Sequence, residues 1–416
     1  MKKKVKTDIN VITKEKNCLK IQEEKNMENP IKKERKLNKK KLILTILIAL
    51  LIIAAIVIFV IYCMNPSFRK WADKNVLQKE IKQGNTISIE FNGESNSNIY
   101  AYDQYIVKLE NKILTIYNSL GKELETISTE INNPVFDATG KYLVVAEKNG
   151  ESIYLLQDTK MLWSTKIEGQ ITQVHLNENG YVGIVISDMS YKNIVSIYNQ
   201  EGKNLFKTYI ATNKVVDISI SRNNQYLAMA EIDMSGVLIQ ASIKIIDIEK
   251  AKTEPKNSVT NTYFAEVGKL ITNIEYQSKE KLLCAYNNSI NVIENNTDKI
   301  LTEVDNSKIT FSSIELKNNI VTIEEKQSGE YASNSCVNII NATTNKIRTY
   351  ETEEIAKEIY THENVTALNF GTELHIINTN GWLMKKYISE QEINKVVISN
   401  KIVGIIYRDK IEIIDL

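Results

Sequence analysis

Apolar and polar residues alternate in short runs from Lys112 onward, and each run ends on a polar residue followed by a turn. The first copy reads Leu114-Thr115-Ile116-Tyr117-Asn118. Seven more follow at residues 153–157, 195–199, 243–247, 291–294, 337–341, 374–378 and 411–415. Alternation with a period of two puts successive side chains on opposite faces, so each run predicts a half-buried β-strand. The polar ends are spaced by 39, 42, 48, 47, 47, 37 and 37 residues. A repeat of roughly 40–45 residues with several strands per unit predicts a β-propeller.

Each repeat reads as four strands. In the first they are residues 98–102, 104–109, 112–117 and 123–128. The last repeat offers three, at 396–399, 402–407 and 410–414. A spare strand, Thr-Ile-Ser-Ile-Glu-Phe at 86–91, precedes the first repeat. Pairing the spare strand with the short repeat closes the ring and removes two exposed edges. The prediction is therefore all-β: an eight-bladed propeller closed by an N-terminal strand. An open solenoid is the rival, and it would leave its ends uncapped. The Asn or Asp after each third strand has a local purpose, since its side chain can bond the backbone two residues on and start a turn. Gly121 and Gly202 then supply positive φ.

Before the repeats the pattern changes. Residues 42–64 run without a charge, and as a helix at ~1.5 Å per residue they reach across a ~30 Å hydrocarbon layer. This segment is expected to be a transmembrane helix whose partner is the lipid bilayer. It is too long for the apolar part of a cleaved signal peptide. Residues 1–41 carry fifteen Lys or Arg against six Asp or Glu, a net of +9. The whole chain is +1, which leaves −8 for the rest. The positive-inside rule places the basic side in the cytoplasm and the repeats outside. The basic cluster is read as a topology signal, with no nucleic-acid role. Four segments are expected: a basic disordered cytoplasmic tail over 1–41, the transmembrane helix over 42–64, a juxtamembrane connector over 65–85, and an extracytoplasmic propeller over 86–416. One short helix is expected over 67–81, and Met27 is an alternative start.

Candidate chemistry is sparse. His175, His362 and His375 are the only histidines and fall in different repeats. No Gly-x-Ser-x-Gly elbow, phosphate loop or His-Glu-x-x-His pattern occurs. No metal or cofactor is expected, and the chain is not expected to be an enzyme. Cys284 and Cys336 are read as small core residues, with a disulfide as the alternative. The departures from the repeat are more telling. Loops between second and third strands are mostly tight, but those at 187–193, 231–241 and 326–335 are long. The first two both carry Asp-Met-Ser, at Asp188-Met189-Ser190 and Asp233-Met234-Ser235. Ordinary extended hairpins are one account. A partner-binding patch is the other, made of Asp188, Met189, Tyr191, Asp233, Met234 and Tyr331, because Met adapts to irregular surfaces and Tyr is enriched at interfaces.

Several stretches resemble known propellers. Phe136-Asp137-Ala138-Thr139-Gly140-Lys141-Tyr142-Leu143 resembles a WD-repeat hairpin, although no Gly-His or Trp-Asp pair is present. Asn199-Gln200-Glu201-Gly202-Lys203-Asn204-Leu205-Phe206 resembles quinoprotein-like repeats. The basic tail and anchor, with Tyr191-Lys192-Asn193-Ile194-Val195 and Ala230-Glu231-Ile232-Asp233-Met234, are similar to an uncharacterised bacterial family of single-pass membrane proteins with an external propeller. The resemblance implies topology and fold. The expected role is a non-catalytic scaffold or recognition module for envelope or membrane proteins. A sensor of a wall-derived or other small ligand is the alternative, then a quinoprotein-like enzyme.

Overall fold

The computed structural model describes residues 39–91, 98–305, 309–327 and 333–416. Most of the basic tail, Cys18 and Tyr331 lie outside the described residues. The chain divides into two compact units, one ending at Ala72 and one from Asp73 to Leu416.

In the first unit, α1 (Lys39–Met64) opens on three lysines and is apolar all round from Leu42 onward, and its described side chains from Ile43 to Ile61 are exposed. It is the one helix among the described residues long and apolar enough to cross a membrane, over Ile43–Met64. Asn65-Pro66 ends it and starts α2 (Pro66–Asn75). Asn65 Oδ1 accepts the Phe68 N–H, and proline fits the first helical position because the N–H it lacks would be unpaired there. Arg69 donates to the Tyr62 and Cys63 carbonyls, two of those that the end of α1 leaves open.

The second unit holds eight sheets; six have their strands in sequence order, and two also take in a strand from the N-terminal side of the ring. Blade 1 is Asn98–Tyr102, Tyr105–Glu110, Ile113–Asn118 and Glu123–Ser128. Blades 2 to 6 begin with Pro134–Thr139, Gln170–Leu176, Lys214–Ile220, Ile271–Tyr276 and Ile309–Ser313. Blade 7 begins with Glu358–His362 and blade 8 with Lys395–Ile398. First strands pack on the first strands of neighbouring blades, so they ring a central channel. Apolar clusters fill the wedges between blades, as where Val144, Ile153 and Leu155 of blade 2 meet Ile171, Val182 and Ile184 of blade 3.

The ring closes as the alternation predicts. Ile87–Glu90 pairs antiparallel with Lys410–Asp415, with Ile89 opposite Ile411, and supplies the missing strand of blade 8. Thr86 donates to the buried Glu412 carboxylate, which also accepts from Tyr387 and Lys410. The connector departs from the expected single helix. α2 stops at Asn75, and Glu80–Lys82 becomes a fifth strand of blade 7, parallel to Leu383–Ile388. Pairing outweighs the loosely helical spacing there. The Lys79 carbonyl accepts the Lys386 N–H, and Ile81 packs against the blade 7 and 8 core, while Val76 and Leu77 stay exposed.

The repeated polar residue works as expected. Asn118 accepts from Leu120 and Lys122, Asn199 from Glu201 and Lys203, and Asn378 from Asn380 and Trp382. Asp247 instead caps the short helix α3 (Ile248–Thr253) by accepting from Lys250. Gly202 has φ +79°, and a Cβ there would lie 2.8 Å from Trp163.

Candidate functional site

Two regions carry side chains that could meet a ligand: the channel and one loop face. The channel owes its lining to a repeated irregularity. In blades 3 to 6 the first strand bulges, between Ile171 and Gln173, Val215 and Asp217, Ile271 and Asn273, and Ile309 and Phe311. A bulge re-aims the side chains beyond it. Gln173, Asp217 and Asn273 thus hold equivalent ring positions in blades 3 to 5, while Asp137 of blade 2, whose first strand pairs without a shift, takes the ladder position of His175, Ser219 and Glu275.

These polar groups join blades. Asp137 accepts the N–H of Ala138 and that of Leu176 in blade 3. Asp217 accepts from Ile218 and from Ile274 in blade 5, both near 2.9 Å. Ser219 accepts from Tyr276, and Gln173 donates to the Val216 carbonyl. Glu315 accepts from Thr361, which also bonds Ser313. At the end where first strands turn into second strands, Glu363 of blade 7 reaches across to blade 2. Its Oε1 accepts the Gly140 N–H at 3.0 Å, and its carbonyl accepts Lys317 of blade 6. That crossing narrows one end of the channel.

Enclosing so many acids has an electrostatic cost. Burial pushes Asp137 up to about 7, and Glu315 and Asp217 add to the rise. Asp217 also rises to about 7 through burial, aided by Glu315, and burial holds Glu275 well above the usual range. The Asp137 side chain is still 34% exposed, to the channel, so channel water tempers these shifts. Burial pushes His175 down to about 4, which keeps it neutral near pH 7.

Ser219, His175 and Asp137 line up in the order of a catalytic triad. Ser219 Oγ lies 3.5 Å from His175 Nε2, and His175 Nδ1 lies 3.7 Å from Asp137 Oδ2. Both separations exceed the ~2.6–3.2 Å of a working nucleophile–base pair. Ser219 is completely buried, and its oxygen already accepts the Tyr276 N–H. The set reads as part of the blade-to-blade hydrogen bonding.

The channel also holds a cavity of about 460 Å³. Asp137 and Glu315 line it together with Phe136, Phe311 and Tyr360, and Lys395 lies at the start of its strand. A second cavity of about 500 Å³ shares Phe311 and Tyr360 and opens between blades 6 and 7.

The loop face is the opposite end of the propeller, where second strands turn into third strands. Asp188 accepts from Ser190 and Tyr191 of its own loop, and Asp233 from the N–H and hydroxyl of Ser235. Those hydroxyl and amide bonds hold Asp233 below the usual carboxylate range. Both carboxylates thus shape their loops. Met189 and Val237 are fully exposed, and Met234, Leu238, Phe264 and Val267 are more than half exposed. Tyr191 stacks at a tilt on Tyr209, 5.0 Å between ring centres. The Ile239 carbonyl accepts the Gly268 N–H, which joins the blade 4 loop to the connection carrying Val267. Asn193 Oδ1 accepts the Val215 N–H and links blade 3 to blade 4 on this face.

Residues 76–416 match DUF5711, described as a family of unknown function. The chain belongs to that family. Among solved structures, this DUF5711 chain is similar to the C-terminal WD40 domain of Sif2, with a TM-score of 0.52 and 12% identity over 80% of this chain and 99% of that one. It is also similar to BamB from Moraxella catarrhalis, at TM-score 0.45 and 10% identity over 79% and 98%. The dihydro-heme d1 dehydrogenase NirN in complex with DHE gives 0.48 and 11% over 76% and 72%. The likeness to Sif2 shows the propeller fold. No curated protein matches the sequence.

Sequence motifs single out none of the channel groups. Their signal is compositional: Phe136-Asp137-Ala138 and Val216-Asp217-Ile218 each set one carboxylate inside an otherwise apolar stretch of a first strand. The cysteines take the expected place. Cys284 and Cys336 are buried and unpaired, in blades 5 and 6.

Proposed function

We propose that this DUF5711 protein is a membrane-tethered, non-catalytic recognition module of the bacterial envelope, with its propeller outside the cytoplasm. One observation carries the reading: the exposed apolar surface on the loops of blades 3 and 4. Apolar side chains gathered and left in water mark an interaction site more often than chance. Met189, Met234 and Tyr191, with Val237, Leu238, Phe264 and Val267, would form the contact, and Asp188 and Asp233 would hold the loops in shape. A tether confines the search for partners to the membrane surface. Crosslinking in intact cells tests this. Met189→Asp with Met234→Asp should abolish the crosslinked adduct and leave the melting temperature unchanged, whereas an unchanged adduct sinks the reading. Protease added to protoplasts should digest the propeller and spare the basic tail.

The channel cavity favours a second reading, a sensor of a small ligand. It is large enough for a small molecule and carries both apolar and charged groups.

A further inference from the structure

Aromatic rings and carboxylates share the wall of one cavity. Phe136 keeps 37% of its surface exposed although it lies inside the ring. Phe311 and Tyr360 line the same cavity, as do Asp137 and Glu315. A ring face attracts a cation through its quadrupole, and a carboxylate attracts it by charge, more strongly in an enclosed site. We propose that the channel binds a small organic cation, with an ammonium group between Asp137 and Glu315 and its carbon chain against Phe136, Phe311 and Tyr360.

The geometry gives the site a direction. Asp137 and Glu315 lie toward the end that the Glu363 crossing narrows, where Gly140 and Lys317 meet it. Lys395 is at the first position of its strand, toward the other end. A cation entering past Lys395 would travel inward, away from like charge and toward opposite charge.

The acids also lack enough positive charge. Asp217 and Glu315 act on Asp137 as like charges, and His175 beside it is neutral. Arg222 lies 3.5 Å from Glu178, and its charge acts on Glu275. The proposal rests on the sensor reading, and the test separates the two.

Full-length protein in detergent is titrated calorimetrically with 1,5-diaminopentane, and in parallel with the neutral 1,5-pentanediol and the anionic glutarate. The diamine should bind saturably, at least about tenfold tighter than the diol or glutarate. Phe136→Ala and Glu315→Gln should each weaken it by about tenfold. Asp137→Asn is the sharper variant, but Asp137 also joins blades 2 and 3, so the other two keep the test valid if it misfolds. Diol or glutarate binding as tightly as the diamine, and lost in Phe136→Ala, would overturn the cation inference and leave the sensor reading standing. No saturation by any of the three up to about 10 mM would overturn both.

Discussion

The two ends of the propeller put the same residue type to different uses. Asp217 and Asp233 stand in the same blade, sixteen positions apart. Asp217 bonds its own strand and the next blade, through Ile218 and Ile274. The Asp233 carboxylate accepts from Ser235, two residues away in its own loop. At the channel end, side chains are committed to neighbouring blades. At the loop end they shape their own loop and leave Met189, Met234 and Val237 in water. A wheel needs one part that holds the blades together and can leave another part free. If that contrast is right, damage at the channel end is read in stability, and damage at the loop end in binding.

The largest effect should come from opening the ring. Deleting residues 86–91 removes the strand that pairs with Lys410–Asp415, buried Ile89, and the Thr86 bond to Glu412. The loss should be at least the ~2–5 kcal/mol that one truncated buried isoleucine costs. Hydrogen exchange should show blade 8 losing protection first, although the deletion is some 320 positions away from that blade in sequence. Unchanged melting would mean that blade 8 is held without this strand.

Next comes the direct comparison. Asp217→Ala leaves two backbone N–H groups without their acceptor, one in each of two blades. An orphaned buried donor costs ~1–3 kcal/mol, so a loss of roughly 2–4 kcal/mol is expected from denaturant melts. Asp233→Ala touches an exposed loop and should stay within about 0.5 kcal/mol. Equal losses at the two sites would break the contrast.

The contrast also explains which parts of the molecule are legible in its sequence. Blade number, the closing strand and the Asn118, Asn199 and Asn378 turns follow from a period of two and from local side-chain bonding, both of which are written in short stretches of chain. The long loops stand out as departures from the repeat. The channel does not, for two reasons. Its groups come from separate blades, and the bulges before Gln173, Asp217, Asn273 and Phe311 shift the alternation by one residue. A period-two reading carried through a bulge assigns side chains to the wrong face. Glu80–Lys82 is hidden differently, because its strand state depends on a partner some 300 residues later.

The smallest effect lies in pH. Burial holds Asp217 up to about 7, against 3.8 when unfolded. A folded-state acid with a raised pKa keeps its proton where the unfolded chain has lost it. That contribution is fully present below 3.8 and is lost as pH climbs from about 4 to 7. Asp137 acts in the same direction. His175 and His375 oppose them, since burial depresses both to about 4, with Lys386 adding to His375. Their contribution is lost as pH falls from 6.5 toward 4. The wild-type curve therefore mixes opposing slopes over nearly one window, and the variant difference is the cleaner reading. Asp217→Asn cannot ionise, so its melting temperature relative to wild type should rise between about pH 5 and about pH 8. Asp233, held low by Ser235, is ionised across that range in both states, so Asp233→Asn should give a flat difference. A flat line for Asp217→Asn as well would mean that channel water solvates Asp217 as fully as bulk water solvates Asp233, and the two ends would then differ in bonding but not in electrostatics.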